Sequence, residues 1–469
     1  MKQMFSLGIW GQQPSNLKRP TIHLFKISVP ENFNPYEILE LAKVFLPQEE
    51  LEIEIGPEDL SWNSHKREAL KQDVYKELSQ YTKKSPKWGI LTGVRPVKLT
   101  GNLVREIGLE NTRKKLRDFY YLHPHKVNLL LDIYNYQQEH TEENYKDVAL
   151  YIGIPFCPSR CSYCSFTSNQ GSPDEMVQYL DALVHEIISV GKLMERANKV
   201  PETIYIGGGT PTALPLKGLE RLMKTLDQTF SRDGLKEFTV EAGRPDTISQ
   251  DKLSVLKDYG VDRISINPQS MNEKTLERIG RSHSPQAIIQ AFELAKPFGF
   301  QINSDVIAGL PGENPEDFQN TLKAVIDQGP DNITLHTLAV KKASALLLED
   351  KDYHYRAGDN VEEMLANAHS ILPEAAYHPY YLYRQKHMAG GLENVGYCKE
   401  GTMCLYNVRI MDEHQSLVAL GAGGISKAYY PEENRLERVP NVANYKIYIE
   451  RIDEMIERKK NNLFMEEML

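Results

Sequence analysis

Cysteine is scarce, with five in 469 residues, and tryptophan scarcer still, with three. Five thiols, an odd number, cannot be the disulfide framework of a large secreted protein. No apolar run approaches the roughly 18 residues of a membrane-spanning helix, which excludes a helical span. The leading MKQMFSLGIWGQQPSN has neither the long apolar core nor the small-residue cleavage site of a secretory signal, so a cytoplasmic location is expected. Basic excess is absent too. Lys and Arg number 55 against 64 Asp and Glu, a formal charge of −9, which argues against a general nucleic-acid-coating role. What remains is an ordinary globular composition, 41% hydrophobic and 25% charged, long enough for two to four domains.

The texture changes along the chain. Up to about Thr141, strand-like TIHLFKISV and LEIEI mix with charged helical stretches such as REALKQDVYKELSQYTKK, TRKKLRDFYYL and HKVNLLLDIYNYQQEH. An N-terminal α+β accessory domain is expected over residues 1–141, with the acidic QQEHTEENYKD as linker. From Val148, six short apolar strands alternate with helices: VALYIGIP, TIYIGGG, EFTVEAG, DRISINPQ, FQINSDVIAGLP and DNITLHTLA. That alternation predicts an α/β fold, a parallel sheet curled into a partial (β/α)6 barrel over residues 148–345, with its chemistry at the C-terminal strand ends. Beyond residue 345, tyrosine and glycine dominate in YHPYYLYRQKHMAGG and ALGAGGISKAYY. An appended region over 346–469, with loops over the barrel mouth and a final surface helix, is expected.

Three of the five cysteines crowd into CPSRCSYC, as Cys157, Cys161 and Cys164, just after the first barrel strand. In a reducing compartment such a cluster reads as metal-binding or catalytic. Most structural zinc and iron–sulfur sites take four protein ligands. Three would leave one iron of a four-iron cluster open, whereas a structural zinc knot or three unrelated buried thiols would also account for the count. Cys398 and Cys404 lie too far downstream to be presumed ligands. The strand-end segments GGGTPT (Gly207–Thr212), FTVEAGRPD with Glu241, RISINPQSMNEKTLERIGRSH with Gln269 and Arg281, and NSDVIAGLPGE with Asp305 add glycines that allow close backbone approach and polar groups suited to a bound ligand.

Taken in order, these segments resemble the radical S-adenosylmethionine superfamily, whose signature is C-x-x-x-C-x-x-C with an aromatic residue before the last cysteine, here Tyr163. The GGGTPT wording and the long first region with WGILTGVRPVKLTGNLV (Trp88–Val104) resemble its oxygen-independent coproporphyrinogen III dehydrogenase-like subgroup, HemZ-type branch. The resemblance implies a [4Fe–4S] cluster on Cys157, Cys161 and Cys164, with S-adenosyl-L-methionine at the open iron as the source of a 5′-deoxyadenosyl radical. It implies cofactor contacts from Tyr151, Tyr163, Gly208, Gly209, Thr210, Glu241, Gln269, Arg281, Asp305 and Ala339. It implies a tetrapyrrole substrate, oxidative decarboxylation of two propionates of coproporphyrinogen III to give protoporphyrinogen IX, and a reduced flavodoxin or ferredoxin-type electron donor. Arg95, Arg384, Arg409 and the tyrosines of Tyr380–Tyr383 suit an anionic macrocycle, although the pattern assigns them no role. The first region replaces the short N-terminal arm of the established dehydrogenase, and the chain departs from the family at three further points. E-A-G-R-P has one more residue than E-x-x-P, Asn267 replaces a glycine, and Phe166 stands where the dehydrogenase has a fourth cysteine. A related branch with the same three-cysteine spacing acts as a haem-binding chaperone, and that is the second function the resemblance implies, beside a radical enzyme on another tetrapyrrole.

Overall fold

A computed structural model of the chain describes residues 24–164, 169–339, 353, 357–386 and 388–464. Phe166 lies outside the described residues. The chain divides into two compact units, one ending at Lys84 and one beginning at Ser85.

The first unit is a small β-α-β-α element: β1 (Phe25–Pro30), α1 (Pro35–Ala42), β2 (Leu51–Gly56) and α2 (Ser64–Thr82). β1 and β2 pair in parallel with Phe25 opposite Leu51. Each helix starts at an asparagine cap, Asn34 accepting from the Tyr36 amide and Asn63 from that of Lys66, which satisfies amides that have no partner within the helix. Ile27, Val29, Phe33, Ile38, Leu41, Phe45, Val74 and Leu78 form its buried interior.

The boundary expected near residue 141 is not where the compact units divide. The helices α3 (Pro96–Ile107), α4 (Leu109–Asp118) and α5 (Pro124–His140) pack into the second unit. Their Val97, Leu103, Leu116, Val127, Leu130 and Leu131 share one apolar cluster with Val306, Leu322, Leu335 and Val395. Trp88 explains the WGILTGVRP motif structurally: its indole N–H donates to the fully buried Glu393 at 2.7 Å, and Lys126 pairs with the same carboxylate. Glu393 lies 305 residues beyond Trp88, which is why no local pattern exposes the pair.

The six expected strands form as β3 (Val148–Ile154), β4 (Pro201–Gly208), β5 (Glu237–Glu241), β6 (Arg263–Ser265), β7 (Gln301–Ala308) and β8 (Asn332–Thr337), all parallel and adjacent in chain order. The expected helices run between them as α6 (Pro173–Arg196), α7 (Leu216–Thr229), α8 (Gln250–Asp258), α9 (Glu273–Arg278), α10 (Pro285–Ala295) and α11 (Pro315–Gln328). Strand period decides which way each side chain faces. Leu150, Ile152, Ile204, Ile206, Phe238, Val240 and Ile264 pack outward against the helices. The alternate positions carry Tyr151, Tyr205, Glu237, Glu241, Arg263, Asp305 and His336, so the inner face is aromatic and polar. Ala149 of β3 shares a cluster with Tyr380 and Tyr381 from the far edge of the sheet, so the sheet curls upon itself.

The region after residue 345 differs from the expected set of loops. Its β9 (His378–Tyr383) and β10 (Asn394–Cys398) extend the sheet antiparallel beyond β8. On the other side β11 (Leu417–Leu420) joins β3 in parallel, followed by antiparallel β12 (Ile425–Tyr430) and β13 (Arg435–Pro440). Residues 402–409 meet the N-terminal strand ends rather than the mouth. Arg263 donates to the Thr402 and Met403 carbonyls at 3.0 and 3.1 Å, and Glu237 accepts from the Leu405 and Tyr406 amides at 2.9 and 3.2 Å. The final helical stretch is no surface helix. Met455, Lys459 and Phe464 are buried, and Lys459 donates to the equally buried Glu186 at 2.7 Å. No helix among the described residues is long and apolar enough to cross a membrane.

Candidate active site

At the C-terminal ends of the strands lies one cavity. Cys157, Cys161, Tyr163, Cys164, Gly208, Gly209, Thr210, Glu241, Gln269, Arg281, Asp305 and Ala339 all line it. Every residue singled out from the pattern meets there except Tyr151, which lies behind Gly208: a Cβ on that glycine would sit 3.2 Å from the Tyr151 hydroxyl.

The cysteine loop is pinned by backbone bonds rather than by a helix or strand. The Cys157 amide donates to Asn169, that of Ser162 to Ile279 and that of Cys164 to Cys161, at 3.0, 3.0 and 3.2 Å. The three thiols are free of disulfides. Among the described residues no three acidic, histidine or cysteine side chains converge on a point that one metal ion could occupy. The thiols instead line a stretch of cavity wall. Three thiols on one wall of one cavity fit a multi-iron cluster, in which each cysteine binds a different iron.

The glycine loop is shaped by close approach. The Gly209 and Thr210 amides donate to the carbonyls of Ile154 and Phe156 at 2.8 and 2.7 Å. A Cβ on Gly209 would lie 2.5 Å from the Phe156 carbonyl and 3.0 Å from Cys157 Sγ. The Thr210 hydroxyl reaches Cys157 Sγ at 3.5 Å. Gly208 has φ 111°, a conformation closed to side chains with a Cβ. Gln269 has φ 65°, a strained left-handed residue of the kind that gathers at functional sites. It is held there by backbone bonds to Asp305 and Ile307 on β7, at 3.0 and 2.9 Å.

Electrostatics divide the cavity. On the cysteine side, Arg281 donates to the Asn267 carbonyl at 2.7 Å and the Tyr163 hydroxyl at 3.3 Å, and its Nε has no partner among the described groups. Burial works against that guanidinium's charge, yet Tyr163 and Cys161 beside it hold its pKa above the ordinary value. Arg244 donates to Ser159 Oγ at 2.8 Å and to Asp246 and Ser282, each at 3.1 Å. Burial, then the two guanidiniums, drive the His283 pKa down to about 4, so its imidazole is neutral. An anionic cluster and a carboxylate both fit this side. On the strand side, burial pushes the Glu241 carboxyl up to about 7, against the 2.6 Å hydrogen bond it accepts from Tyr205, and neighbouring Asp305 adds to the rise.

Several residues went unsuspected. Arg244, Tyr205 and His336 each hold an inner or strand-end position, and alternation along EFTVEAGR, TIYIGGG and ITLHT is the signal for them. Asn267, in the glycine's place, accepts the Asp305 amide on Oδ1 at 3.2 Å, so the departure ties β6 to β7. The arginines offered for an anionic substrate are committed elsewhere. Arg95 pairs with Glu413 at 2.8 Å, Arg409 with the buried Glu202 at 2.8 Å, and Arg384 donates to the Leu91 and Gly391 carbonyls. Tyr380 and Tyr381 are buried in the barrel interior, against Cys404 and Tyr406.

A family model described as the radical SAM superfamily matches residues 151–325. A Bacillus subtilis (strain 168) protein described as oxygen-independent coproporphyrinogen-III oxidase-like protein HemZ is 37% identical over 395 residues, 82% of this chain and 79% of that protein. The chain belongs to the radical SAM superfamily, in its HemZ-type, coproporphyrinogen oxidase-like branch. A [4Fe–4S] cluster and S-adenosylmethionine are the cofactors of that superfamily. The heme chaperone HemW of the same organism is 31% identical over 234 residues, 49% of this chain and 61% of that protein. A solved structure of coproporphyrinogen III oxidase (HemN) from Escherichia coli matches with TM-score 0.53 at 22% identity, covering 68% of this chain and 72% of that one. At that identity it speaks for the fold alone. This chain shares the radical SAM fold of the HemN and HemW proteins.

Proposed function

We propose that the chain oxidatively decarboxylates propionate side chains of coproporphyrinogen III. Each propionate loses a β-hydrogen atom, carbon dioxide and one electron, leaving a vinyl group, and two such events give protoporphyrinogen IX. The observation that carries the reading is the similarity to the HemZ-described protein over four-fifths of the chain, joined to a cavity that gathers the residue set apart from Tyr151. When bound, the cluster and S-adenosylmethionine supply a carbon radical able to take a hydrogen atom from an unactivated C–H bond.

The chain's own residues bind, orient and shield. In this reading Cys157, Cys161 and Cys164 would hold the cluster, and the Gly208–Thr210 turn, with Tyr163 lining the same cavity, would meet the methionyl end. Arg281 forks onto its carboxylate. Glu241, Gln269 and Asp305 serve its ammonium and ribose, with Ala339 against the adenine and Tyr151 backing the glycine loop. Glu241 is well suited, because a cationic or hydroxylic ligand stabilises the carboxylate that burial penalises. A reduced flavodoxin or ferredoxin-type protein is the proposed electron donor.

The HemW similarity favours a second reading, a haem carrier. Anaerobic incubation of the reconstituted protein with reductant, S-adenosylmethionine and coproporphyrinogen III separates the two. Release of carbon dioxide with vinyl product supports the enzyme. Cleavage of the cofactor without vinyl product sinks the substrate assignment, and stoichiometric haem binding without turnover favours the carrier.

A further inference from the structure

A substrate with four carboxylates needs a donor or cation on the wall it meets. The buried arginines of this cavity serve the cysteine loop, and the three outside it are engaged with Glu413, Glu202 and backbone carbonyls. The flank of the sheet away from that loop carries Glu241 and Asp305, which would repel such a substrate. Among the described residues of that flank, one cavity-lining side chain can carry positive charge: His336 on β8.

Its surroundings are specific. Nε2 lies 3.6 Å from Asp305 Oδ2 and Nδ1 lies 3.2 Å from the Tyr383 hydroxyl. The side chain is 27% exposed, and Gln385 and Asn394 line the cavity beside it. Thr334, two residues earlier on the same inner face, is 5% exposed and engages Tyr381. A histidine that only propped Tyr383 would need no opening to the cavity. Asp305, Tyr383 and Glu241 are the titratable groups facing it.

We propose that His336, backed by Tyr383 and with Gln385 beside it, forms the subsite that takes a propionate carboxylate of the tetrapyrrole. Asp305 Oδ2, 3.6 Å from Nε2, is within ion-pair reach of the ring in its imidazolium form. In the imidazolium form Nδ1–H donates to the Tyr383 oxygen. The imidazolium offsets the charge of the incoming carboxylate, and the Gln385 amide on the same stretch of cavity wall can donate to it. No covalent bond changes. The inference rests on the tetrapyrrole reading above, and it adds the group that aligns the macrocycle.

Fluorescence titration of the anaerobic holoprotein with coproporphyrin III and, in the same detergent buffer, its tetramethyl ester tests it. His336→Phe keeps the ring volume and removes both nitrogens. His336→Gln, a hydrogen-bonding but uncharged variant, covers the case in which Phe prevents folding. A charge-assisted hydrogen bond is the interaction at stake, so the tetra-acid should bind about tenfold more weakly or worse and the ester within about twofold of the parent. In turnover the loss should fall on KM rather than kcat. Equal weakening of acid and ester would mean a structural role and overturn the subsite, as would an unchanged tetra-acid affinity. A parent protein that binds neither probe would instead overturn the tetrapyrrole reading, and this inference with it.

Discussion

Replacing Gly209 by alanine tests the glycine loop as part of the cluster site. The new Cβ would lie 2.5 Å from the Phe156 carbonyl oxygen and 3.0 Å from both Cys157 Sγ and the Ile154 carbonyl. The first contact is with backbone, so no side-chain rotation relieves it. The Phe156 carbonyl must retreat, and the 2.7 Å bond from the Thr210 amide goes with it. One such bond contributes about 1 kcal/mol, and overpacking adds about 1–3 kcal/mol. The loop thus loses about 2–4 kcal/mol where Cys157 begins. Gly243→Ala is the control, since its Cβ would meet only the Asn267 amide at an ordinary 3.4 Å. The assay is iron and sulfide per chain after anaerobic reconstitution, with thermal midpoints alongside. We expect G209A to retain well under half of the parent's cluster and G243A to match the parent. Full cluster content in G209A, or an equal loss in both variants, would refute the reasoning.

Further outcomes follow from single contacts. Glu241 holds its proton to about pH 7 in the folded chain, against an ordinary carboxyl value of 4.5. The native state therefore binds more protons than the unfolded one across that window, and stability falls as pH rises through it. E241Q should lack that slope in denaturant melts of the cofactor-free protein, and identical slopes would contradict the buried carboxyl. Arg281→Lys removes the planar fork while keeping a charge; S-adenosylmethionine binding by equilibrium dialysis should weaken about tenfold with iron content kept, and unchanged binding would remove Arg281 from the site. Lys459→Met removes the buried counter-charge of Glu186, leaving its hydrogen bonds from Gly421, Asn441 and Tyr448, and about 3 kcal/mol of stability is expected to go. A melt indistinguishable from the parent would show that the final helix is not anchored there.

The cysteine loop and the glycine turn were legible because each ends or follows a short apolar strand, and Asp305 because it breaks the apolar run inside one; the barrel puts all strand ends on one face. What escaped depended on partners far off in sequence. Arg409 reads as a free cation until Glu202 is found against it, and Trp88 looks like a signature until Glu393 is seen to take its N–H. The strand β9 hid in tyrosine-rich text because its Tyr380 and Tyr381 line an aromatic interior instead of an aliphatic one. His336 was visible in principle as the inner-face neighbour of Thr334, but one histidine in a strand declares no role until Asp305 and Tyr383 flank it.

The central claim, hydrogen-atom removal from a propionate β-carbon, is tested most directly with coproporphyrinogen III deuterated at those carbons. Mass spectrometry of the 5′-deoxyadenosine formed under anaerobic turnover reads the outcome. The account predicts one deuterium in the nucleoside for each vinyl group formed. Unlabelled 5′-deoxyadenosine, with the propionates intact, would contradict it.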